Sequence, residues 1–262
     1  AACGIVGLKP AYGEVPTDGV VPLSHTLDHV GPLASSVTDA ATVYRALAGR
    51  SRAESPASAR GLRLGVLRPY FCDLLDDEVR AQFEGALDRL RSAGAQVEEV
   101  EIAHARDIAS IYLRIAPAEA AAHHAATLEH MPERYTTPVR ERLEAGRAIA
   151  VDDYVRALSA RQVLKREVDA ALAGRDALVL PTLPIPAPLM GAASVRIGGT
   201  DVPVRSLMLR LTQLFNLTGH PAIALPNGRT ATGLPCSLQL AGSHTDALLR
   251  AAVTCEAQIG IM

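Results

Sequence analysis

Tryptophan is absent from this chain of 262 residues, and aromatic residues make up only 3% of it. Its core must therefore be filled by Ala, Leu and Val, and base-stacking aromatics for nucleic acid are scarce. An excess of charge is lacking as well: 26 basic residues face 28 acidic ones, for a net charge of −2. That balance excludes the strongly basic footprint of a protein that grips nucleic acid or an anionic membrane surface. No apolar run approaches the roughly 20 residues that span a bilayer. Cysteine is limited to Cys3, Cys72, Cys236 and Cys255. None forms a Cys-x-x-Cys pair, which argues against a zinc knuckle or dithiol motif and reads as reduced thiols of a cytoplasmic protein. No His-Glu-x-x-His pattern occurs, and the adjacent His123 and His124 diverge on a helix, which disfavours a shared metal ion.

What is present is apolar and punctuated. Hydrophobic residues reach 48%, enough for a sizeable core in one large domain or two small ones. Residues 1–34 are dense in Gly and Pro, yet carry Ile5, Val6, Leu8, Val20, Val21, Leu23, Leu27 and Val30. Two readings stand: buried irregular backbone beside a site, or a set of short strands and turns.

Beyond that segment the periodicities predict alternating elements. Ser35 or Ser36 caps a helix running to about Ala48, with Val37, Ala40, Ala41, Tyr44 and Leu47 on one face. Residues 50–60 read as a surface linker. A strand at Leu62–Leu67, a helix from Asp76 or Asp77 to Gly94, and a strand at Gln96–Ile102 form a β-α-β unit, for which parallel pairing is the default. Residues 103–173 read as mainly helical, with Pro117 and Pro132 as interruptions and Pro138 as a helix opener. Asp152 or Asp153 precedes a long helix closed by Gly174, with Arg161, Lys165 and Arg166 on its solvated face. Asp176–Leu180 reads as a buried strand running into a Pro-rich tract. A hairpin over 194–204 turns at Gly198-Gly199, a helix runs through Leu207, Leu211 and Leu214, and Asp246–Gln258 forms a closing helix. The class is α/β.

Three stretches carry a resemblance. Cys3-Gly4-Ile5-Val6-Gly7-Leu8-Lys9-Pro10 with Tyr12-Gly13, followed by Ser24-His25-Thr26-Leu27-Asp28-His29-Val30-Gly31-Pro32, is the first. Asp176-Ala-Leu-Val-Leu-Pro-Thr-Leu-Pro184 and Phe215-Asn216-Leu217-Thr218-Gly219-His220-Pro221 are the others. Together they resemble the amidase signature family of serine hydrolases of amide bonds. The resemblance implies an α/β/α sandwich around a mixed sheet, with residues 1–262 as a partial, single amidase domain. It implies a Ser–cis-Ser–Lys triad lying upstream of Ala1, so no catalytic residue is assigned within the chain, and Lys9 is not the family's base. No metal or organic cofactor is implied.

The chain opens on Ala1, and its first Met is Met131. It therefore reads as a fragment, a processed product or the C-terminal part of a split protein, supplying scaffold and cleft walls and inactive alone. Its implied partners are a small amide substrate in the complete enzyme and a missing N-terminal portion or a second copy. A noncatalytic remnant and the A subunit of the tRNA-dependent amidotransferase are the alternatives. Asp28, Pro181, Thr182, Phe215, Asn216 and Thr218 are the candidate substrate-binding residues. Asp28 has two readings, a pair with an upstream Arg or local turn hydrogen bonds. A Ser24-His25-Asp28 triad is rejected, because such triads are assembled from separate segments. His220 and His244 read as helix-end or surface residues.

Overall fold

The computed structural model describes residues 1–50 and 61–259; the linker expected at 50–60 lies almost wholly outside the described residues. In chain order the elements begin with β1 (Val6–Lys9), β2 (Leu33–Ala34), α1 (Val37–Leu47), β3 (Arg63–Leu67), α2 (Asp77–Ser92) and β4 (Gln96–Val100). A helical stretch follows as α3 (Ile108–His123), α4 (Ala125–His130), α5 (Thr137–Arg147) and α6 (Val151–Leu172). The chain then forms β5 (Ala177–Pro181), β6 (Ser194–Ile197), β7 (Thr200–Pro203), α7 (Val204–Arg210), α8 (Gln213–Thr218), β8 (Ala222–Arg229), β9 (Pro235–Ala241) and α9 (Thr245–Ile259).

Local chemistry sets many of these boundaries. The Ser36 hydroxyl accepts from the Asp39 backbone N–H at 3.1 Å, and the Asp76 carboxylate accepts from Glu78 and Val79 at 2.9 and 3.3 Å. Each side chain satisfies N–H groups that have no partner within the helix. Gly198 and Gly199 take φ of 57° and 79°, the pair of left-handed residues that a two-residue hairpin turn demands.

Seven strands form one mixed sheet in the order β2-β1-β8-β9-β5-β3-β4. β4 runs parallel to β3, as the β-α-β pattern predicts, and β5 runs parallel to β3 on its other side, whereas β9, β8, β1 and β2 add in antiparallel succession. Every residue of β5 is buried, and nearly all of β9. Central strands of that kind need cover on both faces. α1, α2 and α9 pack together over β8 and β9, and α3, α6 and α8 form a second helical group that meets the sheet at β5. The result is the α/β/α sandwich expected. One continuous apolar cluster runs through it, with Phe71, Phe83, Phe215 and Tyr44 among its fully buried side chains. A separate small cluster of Ile185, Ile197 and Leu207 sits under the β6–β7 hairpin.

Two expectations change. Pro117 does not interrupt the helical pattern but lies inside α3. α5 crosses it closely: a Cβ at Gly146 would stand 2.1 Å from the Pro117 carbonyl oxygen. Packing against α5 thus holds a proline that would otherwise break the helix. The helix expected through Leu207, Leu211 and Leu214 is two helices, because the buried Gln239 side chain of β9 takes the Leu211 carbonyl at 3.0 Å.

Candidate active site

The Gly-Pro-rich opening folds as irregular backbone laid over the antiparallel end of the sheet. β1 enters the sheet beside β8, and the chain then loops out and returns through residues 22–34. The return is close: Leu8 N–H donates to the Pro32 carbonyl at 3.0 Å, and a Cβ at Gly31 would lie 2.0 Å from the Leu8 carbonyl oxygen. Glycine at position 31 is therefore a steric requirement.

Three long-range attachments fix the loop. The Glu119 carboxylate of α3, 8% exposed, accepts from Ser24 Oγ at 2.5 Å, Thr26 N–H at 3.1 Å and Thr26 Oγ1 at 2.8 Å. It also accepts from the Tyr154 hydroxyl at 2.8 Å. Burial pushes this carboxyl up, but the four hydrogen bonds outweigh it and hold the group below its ordinary value. Arg161 of α6 donates to Thr26 Oγ1 at 2.9 Å, the Thr26 carbonyl at 3.0 Å and the Leu217 carbonyl at 2.5 Å. Its place is thus a clamp between the loop and α8, not the solvated face expected. The third attachment is Asn216 of α8, whose Nδ2 donates to the Leu27 carbonyl at 2.7 Å.

These contacts shape a cavity of about 320 Å³ lined by Lys9, Ser24, Leu27, Asp28, His29, Tyr112 and Asn216, among others. Leu23, Tyr112 and Ala116 also line a larger groove of about 600 Å³ between α3 and α5, whose walls include Leu113, Pro117, Val139, Leu143 and Ile149. A polar recess thus adjoins an apolar one.

Asp28 and Asn216 come together in the polar recess. Asp28 Oδ2 accepts from the backbone N–H groups of Leu23 and Ser24 at 2.8 and 3.0 Å, the local turn bonds of its second reading. Pro181 ends β5 opposite Leu238, and Thr182 N–H continues the ladder to the Ser237 carbonyl at 3.0 Å. The Thr182 hydroxyl is buried without a hydrogen-bond partner among the described residues. Phe215 is fully buried in the core beneath Asn216, and Thr218 Oγ1 bonds His220 Nδ1 at 3.0 Å. None of these four lines the recess around Asp28.

His220 is no surface residue: it is 5% exposed, and its Nε2 meets Asp169 at 2.9 Å. Burial lowers it below the ordinary imidazole range, against the pull of Asp169. Ser24 donates to the Glu119 carboxylate rather than to a histidine, so no Ser-His pair forms there. Sequence reasoning passed over Glu119 and placed Arg161 on a solvated face. Glu119 had a signal, because Ile108, Ile111 and Ile115 mark a buried face on which position 119 also falls. A carboxylate on such a face needs partners. Among the described residues, no group of three or more His, Cys, Asp or Glu side chains is placed to hold a metal ion. No helix there is long and apolar enough to cross a membrane.

Comparison with known proteins bears on what this site belongs to. An amidase from Pseudomonas putida is 36% identical over 248 residues, covering 88% of this chain and 53% of the relative. The A subunit of the glutamyl-tRNA(Gln) amidotransferase of Koribacter versatilis is 31% identical, over 92% of this chain and 57% of that protein. A crystal structure of an amidase superposes with a TM-score of 0.92 at 36% identity, covering 99% of this chain and 59% of its own. The chain thus spans little more than half the length of these relatives. The Amidase family model matches residues 1–247, and the chain belongs to the amidase signature family.

Proposed function

We propose that residues 1–262 are one portion of a single amidase domain, furnishing the scaffold and cleft walls of a hydrolase of carboxamide bonds. The observation that carries this reading is the meeting of two family-like segments at one recess. Leu27-Asp28 and Asn216, joined by a bond that spans 189 positions of sequence, close the same polar wall. In this reading the carboxamide sits at Asp28 and Asn216 and the apolar part of the substrate lies in the α3–α5 groove. The unpartnered Thr182 hydroxyl, with Pro181 before it, is available to a ligand or to a further segment of backbone. Phe215 and Thr218 anchor α8, and through it Asn216, from the core side.

The chemistry is acyl transfer to a Ser, activated by a Lys through a cis-Ser, and then to water. In this reading those groups lie outside residues 1–262, and the chain alone is expected to turn over no simple amide. The test is to read the coding sequence preceding Ala1 and express it in continuity with this chain. Ammonia release from simple carboxamides and fluorophosphonate labelling are the readouts. The extended protein is expected to hydrolyse and to be labelled, and the present chain to do neither. Turnover by the chain alone with stoichiometric labelling of one of its serines would refute the reading, as would an inert extended protein.

The identity to amidotransferase A subunits supports a second reading, in which the chain works with companion subunits on tRNA. Copurifying companions and glutamine-dependent transfer, in place of free amide hydrolysis, would mark it.

A further inference from the structure

Lysine occurs twice in the whole sequence, as Lys9 and Lys165; every other member of the Lys/Arg class is Arg. Lys165 lies on the surface of α6, 3.5 Å from Asp169. Lys9 differs in every respect. It is largely buried, lines the polar recess and has no carboxylate within 4 Å among the described residues. Its Nζ donates to the carbonyls of Pro10 and His220 at 3.2 and 2.6 Å. The remaining direction faces His29 Nε2 at 3.3 Å.

That third contact has a defined polarity. His29 Nδ1 lies 2.7 Å from the Leu27 carbonyl, so the ring proton sits on Nδ1 and Nε2 carries a lone pair. The two carbonyls hold two hydrogens of the amine. The third position is either a proton shared with Nε2 or, once that proton leaves, an amine lone pair, and both nitrogens belong to residues lining the recess. Burial pushes Lys9 down to about 7, against the weaker attraction of Glu14. His29 is pushed down to about 4, first by burial, then by the Lys9 and Arg161 charges, opposed by the Leu27 carbonyl and Asp28. Tyr112 across the recess and the His220 ring, tied to Asp169, complete the titratable surroundings. Arginine could not serve here, because its guanidinium keeps its proton.

We propose that Lys9 is a nucleophilic amine that captures small aldehydes in this recess as an imine. The Nζ lone pair attacks the carbonyl carbon, a C–N bond forms, and the C=O π pair moves onto oxygen. His29 Nε2 accepts a first proton shed by nitrogen and passes it to the alkoxide, giving the carbinolamine, and then relays the second nitrogen proton to the same oxygen. That oxygen departs as water while nitrogen forms the C=N bond. One amine and one aldehyde give one imine and one water, with no oxidant or metal. The inference rests on the recess alone and is independent of amide hydrolysis.

The test uses the whole chain at pH 7 with butanal and cyanoborohydride, which reduces the imine to a stable secondary amine. Peptide mass mapping separates Lys9, Lys165 and the Ala1 amine. Lys9 is expected to react on the order of a hundredfold faster than Lys165, because burial favours its uncharged amine whereas Lys165 lies at the surface beside Asp169. The Lys9 rate should level off above about pH 7, and His29→Gln should slow Lys9 while leaving Lys165 unchanged. In denaturant the two lysines should react alike. Equal labelling of both in the folded chain would overturn the proposal, and so would a Lys9 advantage that survives unfolding.

Discussion

Replacing Glu119 tests whether the cavity wall is held by one carboxylate. In Glu119→Ala the Thr26 N–H and the hydroxyls of Ser24, Thr26 and Tyr154 lose their acceptor together. The hydroxyls can turn toward other partners, but the backbone N–H cannot. With about 1–3 kcal/mol for each buried group left unsatisfied, the loss should total about 3–5 kcal/mol. Glu119→Gln is milder. Its carbonyl can face Ser24 and the Thr26 N–H while its NH₂ faces two hydroxyls able to accept, so about 1–2 kcal/mol is expected. Urea denaturation at pH 7 measures both, read as a midpoint shift at constant slope. The acid limb supplies the control. Because the native carboxyl is held below its unfolded value, its stabilisation is complete above about pH 4.3 and fades as pH falls through the depressed native value. The gap between wild type and Glu119→Gln should therefore close in acid. A cost below about 1 kcal/mol for Glu119→Ala, or a Gln gap indifferent to pH, would refute the argument.

Other perturbations follow from the same contacts. Arg161→Lys keeps the charge but cannot reach Thr26 and Leu217 at once, and should cost about 1–3 kcal/mol by thermal or urea unfolding. Gly146→Ala forces a methyl onto the Pro117 carbonyl and should lower stability by about 1–3 kcal/mol, whereas Gly85→Ala, in the open on α2, should not. The His29 ring, followed by NMR, should titrate at about 4 rather than at an ordinary imidazole value of about 6.5, and Lys9→Met should move it upward by removing a neighbouring charge. Asp28→Asn preserves an acceptor for Leu23 and Ser24 N–H and should change stability by less than about 1 kcal/mol, checked by urea titration.

Local signals in the sequence carried far. The β3-α2-β4 unit was legible because apolar alternation, an Asp cap and a terminal glycine agree there. The β6–β7 hairpin was legible because two glycines at a turn have few other uses. What escaped was decided at long range. Nothing near Leu211 announces that Gln239, 28 positions later, will take its carbonyl and split a helix. Arg161 sits among charged neighbours and looks solvated, yet its partners are 56 and 135 positions away. His220 follows a glycine and looks like a surface turn, but Asp169 reaches it from a different helix. The motif residues Asp28 and Asn216 were found by order of residues, and their meeting by folding alone.

The two borders of the sheet are unlike, and that difference governs how copies of this protein would treat each other at high concentration. At β4 the outward groups include Glu98, bound to Arg175 at 3.0 Å, and Glu99, bound to Arg68 at 2.7 Å. A second β4 approaching there would have to break or desolvate these ion pairs, so β-type clumping is discouraged there. The opposite border is β2, only two residues long, beside a Leu33 that is 74% exposed. Its two described residues, Leu33 and Ala34, carry no charge, and its shortness limits what it offers to another strand. Storage losses, if they arise by strand addition, should therefore begin at Leu33, and Leu33→Lys should slow them without touching the recess behind it.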